Sequence, residues 1–184
     1  MSKSGGLLNI YRAFAKRHMV LNQSLRSGVL IGSGDFISQT CIEKKKLGDV
    51  DFGRTCRVFA VGAMLVGPHV SGWYIILSKM FGTSGPVSAF QKIAADQLMF
   101  APYILAVTMA GINTLEGHGW EFTKEQMNLK YTDILLTGYK LWPAVQLINF
   151  NFVPVKYQVL VVQCVGVMWN TFLCWKAHQG VNKI

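Results

Sequence analysis

The side chains best placed to do chemistry in this sequence are polar groups that stand inside apolar stretches. Five of them are candidate pore or polar-core residues: Asp35, Asp96, Gln97, Gln146 and Asn149. A charged group in hydrocarbon costs about 2.5–3.5 kcal/mol on insertion scales, so it faces either a partner or water. Asp35 therefore either lines an aqueous path or pairs with a cation such as Arg54. For Asp96 the spacing favours a structural pair with Lys92, four residues earlier on the same helical face.

Amides and an internal proline add further candidates. Gln146 and Asn149 are three residues apart and share a helical face. They either line the same path or hydrogen-bond between helices, which is the commoner role. The run Gly67-Pro68-His69 places a proline inside an apolar stretch, where it removes a backbone hydrogen bond and kinks the helix. This kink either forms a gate or only shapes packing, and His69 is either a pH-sensing residue or, more commonly, a packing residue.

No arrangement typical of an enzyme occurs in the sequence. It shows no nucleophile–base set, no phosphate-binding loop and no compact Cys/His cluster, and its four cysteines are predicted to be free thiols. We therefore expect no catalytic activity, no metal and no cofactor. The formal charge of +9 comes without a nucleic-acid-binding motif, so we assign it to basic segments that meet anionic lipid.

Long apolar runs identify the elements that carry the polar groups. Hydrophobic residues make up 51% of the chain and charged residues only 15%, against roughly 25% charged in soluble domains. The ranges 58–78, 97–115 and 157–175 contain no Asp, Glu, Lys or Arg. Each has about the 20 residues that a helix needs to cross the hydrocarbon core. The predicted class is therefore an all-α membrane protein.

A fourth span and an extra helix complete the predicted bundle of about four transmembrane helices. The fourth span covers 18–40, with an interfacial helix as the alternative. Its small residues recur at a spacing of four and form a candidate helix contact: Ser24, Gly28 and Gly32. Such a face lets two membrane helices approach closely, within one chain or between subunits. The extra apolar helix lies near 133–150, after a polar connection at 114–133 and before the last span.

Three regions follow along the chain. Residues 1–17 form a basic amphipathic segment, 18–178 a single multi-span membrane domain, and 179–184 a C-terminal tail. The first region is typical of mitochondrial import signals, although a basic flank facing the cytosol has the same composition. Lys and Arg are nearly balanced between the two sides of a four-span topology, so the positive-inside rule does not fix the orientation.

The last third of the chain resembles a family signature. The residues that carry it are Trp142, Pro143, Asn149, Phe150, Pro154, Trp169, Asn170 and Trp175. On these residues the chain resembles the Mpv-seventeen / twenty-two-kilodalton peroxisomal membrane protein family, most of all its mitochondrial inner-membrane members. The resemblance covers about 20–178. It implies a multi-span inner-membrane protein that forms a weakly selective channel, with roles in membrane potential, reactive-oxygen balance, nucleotide pools and mitochondrial DNA maintenance. A peroxisomal membrane channel is the alternative within the family.

Two functions of different class remain open. The lead hypothesis is a mitochondrial inner-membrane channel for small solutes or metabolites, in which the intramembrane polar groups line water. The alternative is a non-conducting scaffold or assembly factor, in which the same groups hydrogen-bond between helices and the loops bind partners. Beyond the lipid bilayer and small solutes, the expected partner is a second copy of the chain, because four helices leave little room for a wide lumen.

Overall fold

The computed structural model describes residues 19–82, 86–153 and 155–179, which are helical almost throughout and contain no strand. The predicted segment at 1–17 and most of the tail at 179–184 lie outside these residues. We number five long helices: α1 Met19–Ile37, α2 Phe52–Phe81, α3 Pro86–Ala95 continued by Asp96–Phe100 and Ala101–Leu115, α4 Trp120–Phe152, and α5 Val155–His178. Helix α1 packs against α2 and α5, and α4 packs against α3 and α5.

Among the described residues, two helices are long and apolar enough to cross a membrane. They are Phe52–Phe81 and Phe90–Leu115, with mean hydropathies of 1.4 and 1.6 in their most apolar windows. The predicted polar connection at 114–133 is wrong over most of its length, because α4 already begins at Trp120 and runs without a break to Phe152. Several polar residues at the start of α4, namely Glu121, Lys124 and Glu125, are good helix formers with exposed side chains, so they extend the helix instead of ending it. The extra helix predicted near 133–150 is the second half of α4.

Each of the two prolines inside α2 and α3 follows a wide helical turn. A proline ring clashes with the carbonyl four residues earlier and offers no N–H to it. In α2 the five residues Gly62–Val66 form a π-helical turn just before Gly67 and Pro68. In α3, Asp96–Phe100 form a second π-helical turn, which is followed by Ala101 and Pro102. The extra residue in each turn relieves the clash, so the helix continues through the proline.

Polar and charged side chains are buried in the bundle beside an apolar core, and many large apolar side chains are exposed on its outside. Large exposed side chains lie along the helix bodies and include Val29, Met64, Leu98, Leu147 and Met168. The buried side chains include charged and amide groups such as Asp35, Gln39, Arg54 and Asn149. The many exposed apolar side chains along the helix bodies suit helices whose outer faces meet lipid.

The small residues of α1 pack against α2 within the same chain. A Cβ on Gly28 would lie 2.9 Å from the ring of Phe59, and one on Gly62 would lie 2.7 Å from the Ser27 carbonyl oxygen. The closest approach is at Gly67, where a Cβ would lie 2.3 Å from Ser24 Cα. The face predicted from Ser24, Gly28 and Gly32 is thus an intramolecular α1–α2 contact.

Candidate functional site

A cavity of about 440 Å³ lies between the five helices. Every helix contributes to its wall: Ile31 from α1, Leu77 from α2, Phe100 from α3, Trp142 from α4 and Trp169 from α5. Sites for small molecules typically have volumes of about 300–1,000 Å³ and mostly apolar walls with a few polar groups. The cavity therefore has the size and composition of a site for one small molecule.

Three polar groups of the wall that were predicted from the sequence come from α3 and α4. Asp96 and Gln97, the first residues of the wide turn in α3, line the cavity together with Gln146 from α4. The Asp96 carboxylate accepts hydrogen bonds from Trp73 Nε1 at 3.1 Å and from Gln97 Nε2 at 3.3 Å. The Oε1 atoms of Gln97 and Gln146 are buried, and no donor in the described ranges reaches them. Three of the five predicted polar residues thus meet in one cavity.

Lys92 also lines the cavity, but it does not form the predicted pair with Asp96. Within the described ranges, no carboxylate oxygen lies within 4.0 Å of Lys92 Nζ. The physical reason is that the Asp96 carboxylate turns toward α2, where the Trp73 indole donates to it. Two opposite charges therefore share the cavity wall without neutralising each other directly.

Asp35 lies away from this cavity, in a group of side chains that joins the end of α1 to the start of α2. We call it the hairpin cluster: Asp35, Gln39, Glu43, Arg54 and Thr55. The Asp35 carboxylate is fully buried and accepts from Arg54 Nε at 2.8 Å, Gln39 Nε2 at 2.9 Å and Thr55 Oγ1 at 2.7 Å. The other two guanidinium nitrogens bond both carboxylate oxygens of Glu43 at 2.7 and 3.0 Å. Here the structural pair with Arg54, left open by the sequence, is the arrangement formed.

Sequence reasoning identified Arg54 as a possible partner of Asp35 but missed Gln39, Glu43 and Thr55 of the hairpin cluster. Gln39 was within reach of prediction, because it lies four residues after Asp35 and shares its helical face. Glu43 gave no such signal, since it lies beyond the wide turn at Ser38–Ile42, which changes the helical phase at the end of α1.

Acidic groups at this end of the bundle are held ionised by their partners. Burial raises the pKa of Glu43, but hydrogen bonds and charge attraction from Arg54 and Lys45 outweigh burial and leave the pKa below its usual range. Glu116 follows the same pattern. Burial raises the pKa of Glu116, but its hydrogen bond and charge attraction with His178 outweigh burial, so the net shift of the pKa is downward. The His178 Nε2 atom lies 2.5 Å from Glu116 Oε1.

Acid is therefore expected to destabilise the fold. A carboxyl whose pKa is lower in the folded state contributes stability that is present above its unfolded pKa and lost as pH falls through the folded value. We expect the thermal midpoint of the detergent-solubilised protein to fall below about pH 4.5, the usual value for Glu. Glu116→Gln should flatten this decline, whereas Glu121→Gln, an exposed acid of α4, should leave it unchanged. If the thermal midpoints of wild type and Glu116→Gln fall equally with decreasing pH, ionised Glu116 does not contribute to the stability of the fold.

Of the predicted kink residues, Gly67 is part of the α1–α2 contact. Gly67 lies against Ser24, and Pro68 follows the wide turn. His69 Nδ1 lies 2.6 Å from the Leu65 carbonyl oxygen, which fits a ring that carries its proton on Nδ1 and donates to the preceding turn. These contacts give Gly67 and His69 packing roles, and a gating role for them stays a prediction.

Some of the described family-signature residues line the cavity and others do not. Trp142, Pro143, Trp169 and Asn170 line the cavity, and Trp142 meets Trp169 edge to face at 6.3 Å between ring centroids. Trp175 instead packs near Phe172 and carries Lys176 Nζ at 5.6 Å from its ring centroid. Asn149 is buried in α4 but does not belong to the cavity wall, unlike Gln146. Pro154 and the side chain of Phe150 lie outside the described part of the chain.

These features define a helical membrane protein with a polar cavity between its helices. Comparison with known sequences gives the family. The profile of the Mpv17 / PMP22 family matches residues 113–174, and relatives match almost the whole chain, so the protein belongs to this family. "Mitochondrial inner membrane protein Mpv17" of Rattus norvegicus is 40% identical over 173 residues, which cover 94% of this chain and 98% of the relative.

Two further relatives are similar to the chain over nearly its full length. "Mitochondrial inner membrane protein Mpv17" of Danio rerio is 38% identical over 95% of this chain and 98% of its own length. "Protein sym-1" of Neurospora crassa is 30% identical over 92% of this chain and 98% of its own length. The protein is thus a mitochondrial inner-membrane protein, and the predicted family and location are confirmed. No solved structure matches the chain.

Proposed function

We propose that the protein is a channel-like pathway for small solutes in the mitochondrial inner membrane, and not an enzyme. Through this pathway it would support membrane potential, reactive-oxygen balance, nucleotide pools and mitochondrial DNA maintenance. The observation that carries the proposal is the cavity of about 440 Å³ whose wall comes from all five helices. A scaffold needs no such space, and a well-packed bundle would fill it with side chains.

The polar groups of the wall support the proposal. A buried amide oxygen without a donor costs free energy, so the acceptors of Gln97 and Gln146 favour a cavity that holds water or solute. Asp96 carries a charge with no cation within ion-pair distance among the described residues, and this favours a hydrated site over a dry core. The cavity admits one small molecule at a time, so the proposed solutes are metabolite-sized.

Planar-bilayer recording tests the proposal. We expect the purified protein to give discrete currents with a preference for cations, and Asp96→Asn to reduce the cation-to-anion permeability ratio about fivefold. A unit charge about 4 Å from an ion in water is worth ~1 kcal/mol, which sets this magnitude. Asp49→Asn is the matched control, because it removes the same charge from an exposed loop position far along the chain from the cavity.

The alternative function has its own signature. Silence from folded wild-type protein would reject the channel and leave the scaffold, whose evidence is the extended, exposed start of α4. Currents with the same ion preference in wild type and Asp96→Asn would place the conducting path outside the cavity.

A further inference from the structure

The cavity wall holds one cation and one anion that do not pair with each other. Lys92 and Asp96 both line the cavity, yet the Asp96 carboxylate turns to Trp73, and Lys92 Nζ has no carboxylate within 4.0 Å in the described ranges. Charges inside a membrane protein are costly unless something compensates them. The arrangement is therefore complementary to a molecule that brings one charge of each sign.

We propose that the cavity binds a small zwitterionic solute of the amino-acid type, with its carboxylate facing Lys92 and its ammonium group facing Asp96. This inference rests on the proposed function, since it names the class of solute that the pathway accepts.

The acceptors of the wall match an ammonium group. An ammonium group offers three N–H donors and no acceptor. The Asp96 carboxylate takes one donor, and the unpartnered Oε1 atoms of Gln97 and Gln146 are available for the others. Both acceptors lie in the same cavity wall as Asp96. A solute without N–H donors would leave these buried oxygens unsatisfied, which weakens binding.

The remaining wall suits an apolar or aromatic body. Trp142, Phe100 and Leu105 line the cavity beside the polar groups, and the volume of about 440 Å³ accommodates one small molecule. A simple organic cation would leave Lys92 without a partner, and a simple anion would leave Asp96 without one. A zwitterion compensates both and adds no net charge to the interior.

Three probes that share a phenyl group separate these cases: L-phenylalanine, phenethylamine and 3-phenylpropanoate. Calorimetric titration of the full-length protein in detergent at pH 7 measures their affinities. We expect phenylalanine to bind about tenfold or more tightly than either singly charged probe, as the loss of one buried charged hydrogen bond implies. Equal affinities for phenylalanine and phenethylamine would identify a cation site and overturn the proposal. Binding of none of the probes by folded wild-type protein would overturn it as well.

Charge-removing variants assign the two contacts. Asp96→Asn should abolish the advantage of phenylalanine over phenylpropanoate, and Lys92→Gln its advantage over phenethylamine. Lys79→Gln, an exposed lysine of α2, should change neither ratio. If either cavity variant does not fold, the three probes on wild type still decide the question. Unchanged ratios in both folded variants would reject the contacts. Binding is measured without current, so a silent bilayer would reject the channel alone, and failed binding would reject the zwitterion alone.

Discussion

Replacing Asp35 with Asn is expected to remove most of the folded protein. The carboxylate is fully buried, and the Arg54 guanidinium that it neutralises is 5% exposed. Removing one partner of a buried ion pair costs about 3–5 kcal/mol. We expect the lower end of this range, because Glu43 still bonds the Arg54 guanidinium. A typical domain has only about 5–15 kcal/mol of stability. The monodisperse fraction after detergent extraction, and its thermal midpoint, measure the effect.

Matched variants separate this charge effect from a general sensitivity of the loop. Asp49→Asn removes an exposed carboxylate from the same connection and should behave as wild type. The double variant Asp35→Asn/Arg54→Gln should recover part of the loss, because it removes both charges of the pair while Lys45 remains as the ion-pair partner of Glu43. Normal yield from Asp35→Asn alone would show that the hairpin cluster does not hold α1 and α2 together.

Gly67→Ala is expected to be the second most damaging change. The added Cβ would lie 2.3 Å from Ser24 Cα and 2.8 Å from Ser24 N. Both are backbone atoms, so relief requires moving α1 away from α2. Overpacking typically costs about 1–3 kcal/mol and occasionally more. We expect the variant to unfold at lower temperature than wild type in a thermal scan of the detergent-solubilised protein.

The chain offers a control for this change in the same helix. Gly72 has no atom within 4 Å of the position that a Cβ would occupy, so Gly72→Ala should be neutral or slightly stabilising. Gly28→Ala should be intermediate, because the group it meets is the Phe59 ring, which can rotate. Equal midpoints for Gly67→Ala and Gly72→Ala would argue against close packing at Ser24. A change in oligomer size without a change in stability would assign the glycine face to a subunit interface instead.

Sequence patterns predicted the class of fold because a helix that crosses lipid needs about 20 consecutive, mostly apolar residues. The charge-free runs at 58–78 and 97–115 fall within α2 and α3, two helices long and apolar enough to cross a membrane. The start of α4 escaped prediction because its many charged residues resemble a loop, although Met127 and Tyr131 pack against a buried apolar cluster. Hydropathy identifies the parts of helices that lie in lipid, but it does not identify the parts that extend beyond the membrane.

The candidate site was predicted in part. Asp96, Gln97 and Gln146 were recognised as polar groups in apolar surroundings, and the structure places all three on one cavity. Asp35 is also a polar group in apolar surroundings, but it lies away from the cavity. Composition alone does not tell which neighbouring helix supplies its partner. The Asp35–Arg54 pair joins positions 19 residues apart along the chain, and only the α1–α2 hairpin brings them together. The predicted ion pair between Lys92 and Asp96 does not form, because the direction of the Asp96 carboxylate is set by its hydrogen bond from Trp73 of α2.

The wide turn at Asp96–Phe100 also bears on how chain length can vary within this helix. It holds one residue more than a regular turn would, with the Ala101 N–H bonded to the Asp96 carbonyl five residues back. Deleting a single residue there, such as Leu98, would convert the wide turn into a regular one and would keep the helical segments on either side in nearly the same rotational phase. Deleting a residue from the regular part, Ala101–Leu115, would instead rotate everything upstream by about 100° and carry Asp96 and Gln97 away from the cavity. Differences of one residue in length between relatives are therefore expected at this turn, where they leave the flanking helix faces aligned.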